Sequence, residues 1–402
     1  MTAVAPLPPT PRTRTGRVFL AGAFGQGNPG DEALLAAFAE GIGSHRAVVA
    51  SSDPAATTAE HGLDAVGRDD LGRVAREVRR AEAVVVAGGT IFKALHPASG
   101  RPPLGLLRRT AALAAVTRAL RKPLALVGVG AAPLHGAGTR GLARAIVRAA
   151  DLLILRDEES AAHLAEIGAP TPIRVGADAA WTLLPLPGET GGLTPCFTGG
   201  PVVVALSHLA GDRNLGEQLA AGLQPIVQAG IPVRLDPWQV DGDAELAADA
   251  AARLGGGFAA AAASEASAPG GDVSIGAPPS DLRAAREGMT GARLVIAQRF
   301  HALVAAASAG VPVLAVAHEP KLSGLARRLG QPTVAPGAPP QTFAGAVLGA
   351  LDAAPAPATT VRRERAAAED GFRLLRVLLA RGRSEEAADV DGLALRPEEW
   401  LG

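Results

Sequence analysis

Arg299 and His301 are the residues whose types and positions most clearly suggest chemistry. They lie in a segment that predicts a buried strand at 294–297, a small-residue helix from about 300 and a second buried strand at 313–316. Such a segment is a parallel crossover, and both residues fall where its first strand becomes the helix. Open α/β sheets bind ligands at this end of a strand, and a helix start favours negative charge. We therefore expect an anionic ligand here.

The spacing of these two residues leaves an alternative open. Side chains two positions apart point in nearly opposite directions on a helix, so Arg299 and His301 converge only if Arg299 still belongs to the turn. In the other arrangement, Arg299 binds a neighbouring backbone carbonyl and His301 is an ordinary interior residue.

Three glycines with the spacing of a dinucleotide-binding fingerprint follow the first predicted strand: Gly25, Gly27 and Gly30. Asp53 stands where that fingerprint has its acidic residue. Against this interpretation, Pro29 lacks an N–H, and Asp31 and Glu32 place two carboxylates where a pyrophosphate would bind. The other interpretations are simple helix capping, or a cleft position in which Asn28 and Asp31 bind sugar hydroxyls.

Two further turns follow predicted strands. Gly88 and Gly89 end the strand at 83–87, where glycine commonly serves a tight turn. Arg156 and Asp157 end the strand at 152–155. They are either a surface ion pair at a helix start, or Arg156 reaches the same cleft as Arg299.

Four motifs in this order, within residues 18–329, resemble the polysaccharide pyruvyl transferase family. They are the loop at 25–32, the glycines Gly88-Gly89, the turn Arg156-Asp157-Glu158-Glu159-Ser160, and Arg299-Phe300-His301-Ala302-Leu303 with the later Gly310-Val311-Pro312 and Glu319-Pro320-Lys321. Relatives tend to have a glycine and a glutamine where this chain has Ala87 and Lys93. Asp178 is similar to the Asp of a family Asp-Pro turn, although Ala179 follows it.

The resemblance implies transfer of the pyruvyl group of phosphoenolpyruvate to two hydroxyls of a sugar, as a cyclic ketal, with release of phosphate. It implies that His301 transfers a proton and that four residues bind phosphoenolpyruvate: Arg299, Arg156, Phe300 and Lys321. The implied acceptor residues are Asn28, Asp31, Gly88 and Gly89. The acceptor would be a sugar or a lipid-linked glycan, and no cofactor is required.

Two rival functions fit the same scaffold, because a fold does not fix a function. One is a glycosyltransferase that uses a nucleotide sugar and binds its diphosphate through Arg299 and Lys321. The other is a binding protein without activity, which the presence of both Arg299 and His301 argues against.

Composition narrows the class of protein. The 402 residues contain 39 Lys plus Arg and 39 Asp plus Glu, so the neutral chain does not indicate nucleic-acid binding. Cys196 is the single cysteine, which excludes an internal disulfide and fits a reducing compartment. His208 is a candidate cleft residue. The spacing of five further histidines (His45, His61, His96, His135 and His163) matches no metal-ligand pattern, so we predict no metal site.

The pattern of strands and helices predicts two Rossmann-like, doubly wound α/β domains that face a cleft, as in GT-B glycosyltransferases. We expect a disordered tail at 1–16, an acceptor-side domain at 17–187, a donor-side domain at 198–354 and a helical segment at 355–402 that crosses back. Residues 185–201 are the expected linker. Neither a signal peptide nor a membrane-spanning stretch is evident, which predicts a cytoplasmic protein and leaves peripheral membrane association open.

Overall fold

The computed structural model describes residues 16–95, 102–169, 173–189, 199–208, 215–255 and 272–381. The predictions for the N-terminal tail, for His96 and Cys196, for most of the linker and for residues after 381 lie outside these ranges. So do residues 256–271, an Ala- and Gly-rich, low-complexity stretch for which the sequence predicts no particular structure.

The first half of the chain builds a parallel sheet, which has eight strands within the described residues. They are β1 (Val18–Ala21), β2 (Ala47–Ser51), β3 (Asp64–Gly67), β4 (Ala83–Ala87), β5 (Thr90–Phe92), β6 (Leu124–Ala131), β7 (Leu152–Leu155) and β8 (Arg174–Val175). Their order is β3-β2-β1-β4-β6-β7-β8, and β5 pairs with β6. The central strands are continuous apolar runs with both faces buried, as helices on both sides of a parallel sheet require.

Helices connect these strands, and four of them begin at a side chain that caps the helix. The helices are α1 (Pro29–Ile42), α2 (Pro54–His61), α3 (Leu71–Arg80), α4 (Gly105–Ala119), α5 (Ala137–Ala149) and α6 (Glu158–Glu166). Their capping residues are Asn28, Asp53, Asp70 and Asp157. Asp53, at the acidic position of the dinucleotide fingerprint, caps α2, since its Oδ1 accepts the Ala56 N–H at 2.9 Å.

The second half builds a parallel sheet with six strands in the described residues. They are β9 (Val202–Ala205), β10 (Val233–Asp236), β11 (Val273–Ile275), β12 (Leu294–Ala297), β13 (Val313–Val316) and β14 (Thr333–Val334). The helices are α7 (Leu215–Gln228), α8 (Val240–Arg253), α9 (Leu282–Met289), α10 (Phe300–Ala309), α11 (Pro320–Arg328) and α12 (Pro340–Leu351). The order β11-β10-β9-β12-β13-β14 is the doubly wound order, with its switch point between β9 and β12.

A long last helix, α13 (Ala358–Arg381), packs against the first sheet. Phe372 on this helix contacts Phe38 of α1, with ring centroids 5.0 Å apart. Arg328 of α11 donates to Glu364 of α13 at 2.9 Å, which ties the helix to the second half as well. A short 3₁₀ helix, Ala179–Leu183, lies between α1 and α13 and buries Trp181.

The predicted fold class, two Rossmann-like α/β units, is confirmed. The residue boundaries of the domains stay a prediction. None of the helices in the described residues combines the length and hydrophobicity that a membrane span needs.

Candidate active site

Arg299 is the residue that precedes α10 at the carboxyl end of β12, directly beyond the switch point of the second sheet. Its backbone is extended (φ −126°, ψ 140°), so it still belongs to the turn, which is the condition for Arg299 and His301 to share a cleft.

The Arg299 guanidinium is held by a buried network. Its Nε donates to the Leu206 carbonyl at 2.7 Å, and its Nη2 donates to Gln239 Oε1 at 3.0 Å and to Asp243 Oδ2 at 2.5 Å. Asp243 is fully buried, and its other oxygen accepts the backbone N–H of His208 at 2.8 Å. Burial alone would raise the pKa of Asp243, but Arg299 and these hydrogen bonds hold it below its usual range. Arg299 therefore binds a backbone carbonyl, as one of the two alternatives in the sequence analysis predicted. It also binds the Asp243 carboxylate.

His301 lies between the two halves of the protein. Its Nε2 is 3.5 Å from Oδ1 of Asp178, which follows β8 of the first sheet. Its Nδ1 faces α1, since a β-carbon built on Gly30 would lie only 2.0 Å away. Phe300 packs edge-on against the imidazole, with centroids 5.4 Å apart. The side chain of His301 is 13% exposed, so the ring is accessible while its orientation is fixed from both sides.

Asp178 is 1% exposed and keeps its negative charge. Burial would raise its pKa, but His301, Arg156 and the N–H of Ala180 lower it below the usual value. This buried carboxylate faces Nε2 of His301 and so orients the imidazole ring.

Arg156 directly follows β7, and its guanidinium lies against Phe300, next to His301. Its Nε donates to Asp157 Oδ2 at 2.9 Å, and both residues are only 4% exposed. The alternative of a surface ion pair is therefore wrong. The Arg156 guanidinium carbon is 4.6 Å from the centroid of the Phe300 ring, a cation–π contact between the two halves of the protein.

Lys321 begins α11 on the second-sheet side of this cleft. Its ammonium contacts the Glu319 carboxylate, whose other oxygen is 3.5 Å from Lys93 Nζ. Burial and the nearby cations Lys93 and Arg156 lower the pKa of Lys321, although Glu319 opposes them. Lys321 thus lies within electrostatic reach of Arg156.

The start of α1 brings a carboxyl group to the other side of His301. Asn28 accepts the Gly30 N–H at 3.2 Å and donates to Asp31 Oδ2 at 2.7 Å. Burial raises the pKa of Asp31 even though His301 and Lys321 lie close enough to lower it. Asn28 is therefore a helix cap that also orients Asp31 beside the predicted anion site.

Gly88 and Gly89 shape the backbone after β4. Both have positive φ, 62° and 73°, which favours glycine. A β-carbon on Gly88 would lie 2.8 Å from Leu34 of α1, and the Gly89 carbonyl accepts the Gly130 N–H at 2.8 Å. Packing and positive φ explain Gly88, whereas positive φ alone explains Gly89.

In the sequence analysis, Asp178 received too little weight, Glu319 was named only as part of a motif without a role, and Asp243 was not identified. Asp178 follows a strand of the parallel sheet, the same signal that identified Arg299 and Arg156. Asp243 lies inside α8, 56 residues before Arg299, and no local pattern marks it. His208 was a predicted cleft candidate. Its Nδ1 donates to Asp243 Oδ1 at 2.7 Å, so His208 belongs to the Arg299 network.

One other group of ligand-type side chains lies near the start of α1. Ligand atoms of Glu32, Glu60 and His61 are within 4.8 Å of one another, a geometry that the sequence spacing did not indicate. Glu32 also accepts the Gly25 N–H at 2.9 Å, so its carboxylate occupies the glycine-rich loop. The absence of a metal site stays a prediction.

Comparison with solved structures defines the class of fold. HepE from Anabaena, in complex with UDP and glucose, is 16% identical, with a TM-score of 0.55 over 91% of this chain and 98% of that chain. The UDP-GlcNAc 2-epimerase of Methanocaldococcus jannaschii is 10% identical, with a TM-score of 0.57 over 90% and 99%. A glycosyltransferase from Rickettsia africae is 9% identical, with a TM-score of 0.53 over 92% and 97%. At these identities the likeness shows a GT-B-like fold and nothing finer.

The family follows from the sequence match. Residues 28–320 match the profile of the polysaccharide pyruvyl transferase family, which includes the start of α1, Arg156 and the segment from Arg299 to Glu319. The chain belongs to this family, as the resemblance predicted, and is a transferase. Comparison with curated proteins gives no match.

Proposed function

We propose that this protein transfers the pyruvyl group of phosphoenolpyruvate to two hydroxyls of a sugar, forming a ketal and releasing phosphate. The observation that carries the proposal is the meeting of Arg156, Phe300 and His301 between the two sheets. Membership of the pyruvyl transferase family supports the reaction type.

The reaction sets three chemical demands. The donor's methylene carbon gains a proton, its central carbon forms two bonds to sugar oxygens, and the bond from that carbon to the phosphate oxygen breaks. The two hydroxyls together lose two protons, of which one balances the proton on carbon and the other leaves with phosphate. The site must therefore bind two anionic groups, supply a proton and accept one.

Arg156 and Arg299 are the proposed anchors for the donor's anionic groups, because arginine is permanently charged and binds carboxylate or phosphate in a planar, two-point geometry. Within the described residues, Arg299 donates hydrogen bonds through Nε and Nη2. We therefore assign its Nη1 to the ligand. Phe300 holds the Arg156 guanidinium in place through the cation–π contact and lines the donor site.

His301 is the proposed donor of the proton to the methylene carbon. Its Nε2 is buried towards Asp178, which leaves Nδ1 as the nitrogen for proton transfer. Asp178 orients the His301 ring for the transfer, in the way that a carboxylate orients a catalytic histidine. Asp178 does not have to exchange a proton for this role.

Asp31 is the proposed acceptor of a hydroxyl proton. Burial raises its pKa, which makes a carboxylate a better base, and Asn28 fixes its position by a 2.7 Å hydrogen bond. We expect the acceptor, a sugar or a lipid-linked glycan, to lie against α1 and the turn at Gly88 and Gly89. Lys321 is the cation that we assign to the departing phosphate. A cytoplasmic location belongs to this proposal as well.

Ligand-dependent thermal stability tests the donor. A ligand that binds only the folded protein raises the melting temperature, so phosphoenolpyruvate should stabilise the wild type and stabilise Arg156→Gln much less. Arg327→Gln, which removes an exposed arginine outside the site, is the control and should respond like the wild type. Stabilisation by a nucleoside diphosphate sugar and none by phosphoenolpyruvate would support the glycosyltransferase alternative instead.

A further inference from the structure

Lys93, Glu319 and Lys321 form an ion cluster that bridges the cleft. Lys93 follows β5 of the first sheet, whereas Glu319 and Lys321 lie at the start of α11 after β13 of the second sheet. Glu319 Oε1 is 3.5 Å from Lys93 Nζ, and Oε2 contacts Lys321. One carboxylate is thus shared by two lysines from opposite sides of the cleft.

The cluster has more positive than negative charge. One carboxylate balances one of the two ammonium groups, and Arg156, whose charge also reaches Lys321, is already paired with Asp157. Burial would raise the pKa of Glu319, but Lys321 and Lys93 lower it to about 2, so Glu319 is ionised under all ordinary conditions. An excess of positive charge in a partly buried site favours a more highly charged anion than a single carboxylate.

We propose that the Glu319 carboxylate occupies the position that an anionic group of the substrate takes when it binds. The phosphoryl group of the donor displaces this carboxylate and binds Lys93 and Lys321 together. The inference rests on the proposed function for the identity of the donor. It adds Lys93 to the donor site and makes Glu319 a competitor of the substrate.

The geometry favours such an exchange. The distance of 3.5 Å between Lys93 and Glu319 exceeds the 2.7–2.9 Å or so of a strong charge-assisted hydrogen bond, so Lys93 can exchange this carboxylate for a phosphoryl oxygen at closer range. The side chains of Lys93, Lys321 and Glu319 are 29%, 27% and 35% exposed, so the carboxylate can turn into water while both ammonium groups stay in the cleft. A phosphoryl group offers several oxygens and up to two negative charges to the two lysines.

Isothermal titration calorimetry with inorganic phosphate tests this exchange. Removing a lysine and removing the carboxylate should change the phosphate affinity in opposite directions. Lys93→Gln should weaken phosphate binding roughly tenfold, because it removes one charge-assisted contact. Glu319→Gln should tighten it by a similar factor, because the competing carboxylate is gone. Glu319→Asp keeps the charge but shortens the side chain, so it competes less well and should also tighten binding, to a smaller extent.

The matched control is Glu159→Gln, which breaks another ion pair between the two halves, with Arg327 of α11, outside the lysine cluster. Its phosphate affinity should equal that of the wild type. Unchanged or weaker phosphate binding in Glu319→Gln, or wild-type binding in Lys93→Gln, would overturn the inference. Tightening by Glu319→Gln but not by Glu319→Asp would also overturn it, since Glu319 would then act through its charge alone.

Pyruvyl transfer measured on the same proteins separates this inference from the proposed function. If the wild type transfers the pyruvyl group and the phosphate affinities contradict the expectation, the exchange is wrong and the function stands. If transfer fails but the affinities follow the expectation, the exchange stands for another phosphoryl ligand and the proposed donor is wrong.

Discussion

Asp178 Oδ1 lies 3.5 Å from His301 Nε2, and the two residues reach this contact from different sheets. Asp178 follows β8 and His301 lies in the first turn of α10, so the pair exists only when the two halves of the protein are in contact. The relationship makes the orientation of the His301 ring depend on how the two sheets lie against each other.

Asp178→Asn should lower the turnover number on the order of tenfold to a hundredfold with little change in donor affinity. The amide keeps the size of the side chain but removes the carboxylate charge that faces the imidazole. His301→Gln is the reference, because it removes the proposed proton donor itself and should lower turnover at least as far. Wild-type turnover in a folded Asp178→Asn protein would leave Asp178 as a packing residue.

Gly30→Ala should reduce turnover strongly while the protein still folds. The added methyl group would lie 2.0 Å from His301 Nδ1, so the imidazole must turn away from its present position. Gly138→Ala is a suitable control, since the new methyl group meets no atom there. Turnover that matches the wild type in Gly30→Ala would show that this orientation of His301 is not needed.

Arg299 should matter for stability as well as for donor binding. Arg299→Ala leaves the buried Asp243 carboxylate without its cation, which costs about 3–5 kcal/mol in the free energy of unfolding. Arg299→Lys keeps a charge near Asp243 and should cost less, roughly 1–3 kcal/mol, yet lose donor affinity almost as fully, because an ammonium cannot replace the planar guanidinium. Chemical unfolding and phosphoenolpyruvate titration of both variants check the two effects. Equal donor affinity in Arg299→Lys and the wild type would restrict Arg299 to its structural role.

Donor affinity should fall on the alkaline side as Lys321 loses its proton. Burial, Lys93 and Arg156 lower the pKa of Lys321, so this loss begins below the pH of about 10.4 at which an ordinary lysine titrates. Lys321→Arg stays charged, so its affinity for phosphoenolpyruvate should remain constant over the same range. Calorimetric titrations over a pH series, on protein shown by circular dichroism to be folded, measure both. If Lys321→Arg lost affinity for phosphoenolpyruvate over the same pH range, the group that titrates would be a residue other than Lys321.

The elements that carry the site could be predicted from the sequence because they are long, buried and regular. The strand Leu294–Ala297 and the helix from Phe300 follow from an uninterrupted apolar run and a small-residue pattern with a glycine stop. Short elements such as β3, β11 and β14 were missed. They have two to four residues each and are only partly buried, so no strong hydrophobic pattern marks them.

The partners of the site residues could not be predicted in the same way. Asp243 lies in α8, which packs against β10 and β11, yet it pairs with Arg299 after β12. Glu319 and Lys93 are 226 residues apart in the chain. Such contacts depend on how the sheets and helices lie against each other, which no local spacing encodes. The position after a strand of a parallel sheet was the most useful signal, and it applies to Asp178 as well as to Arg156 and Arg299.

The central claim is that the pyruvyl group of phosphoenolpyruvate becomes a ketal on a sugar. Its most direct test is to incubate the protein with phosphoenolpyruvate and a panel of glycosides and lipid-linked sugars, and to measure phosphate release and product mass together. We predict phosphate release that depends on one class of acceptor, with a product heavier by one pyruvyl ketal, and neither signal in His301→Gln. Phosphate release without a pyruvylated sugar, or transfer only when a nucleotide sugar replaces phosphoenolpyruvate, would contradict the claim.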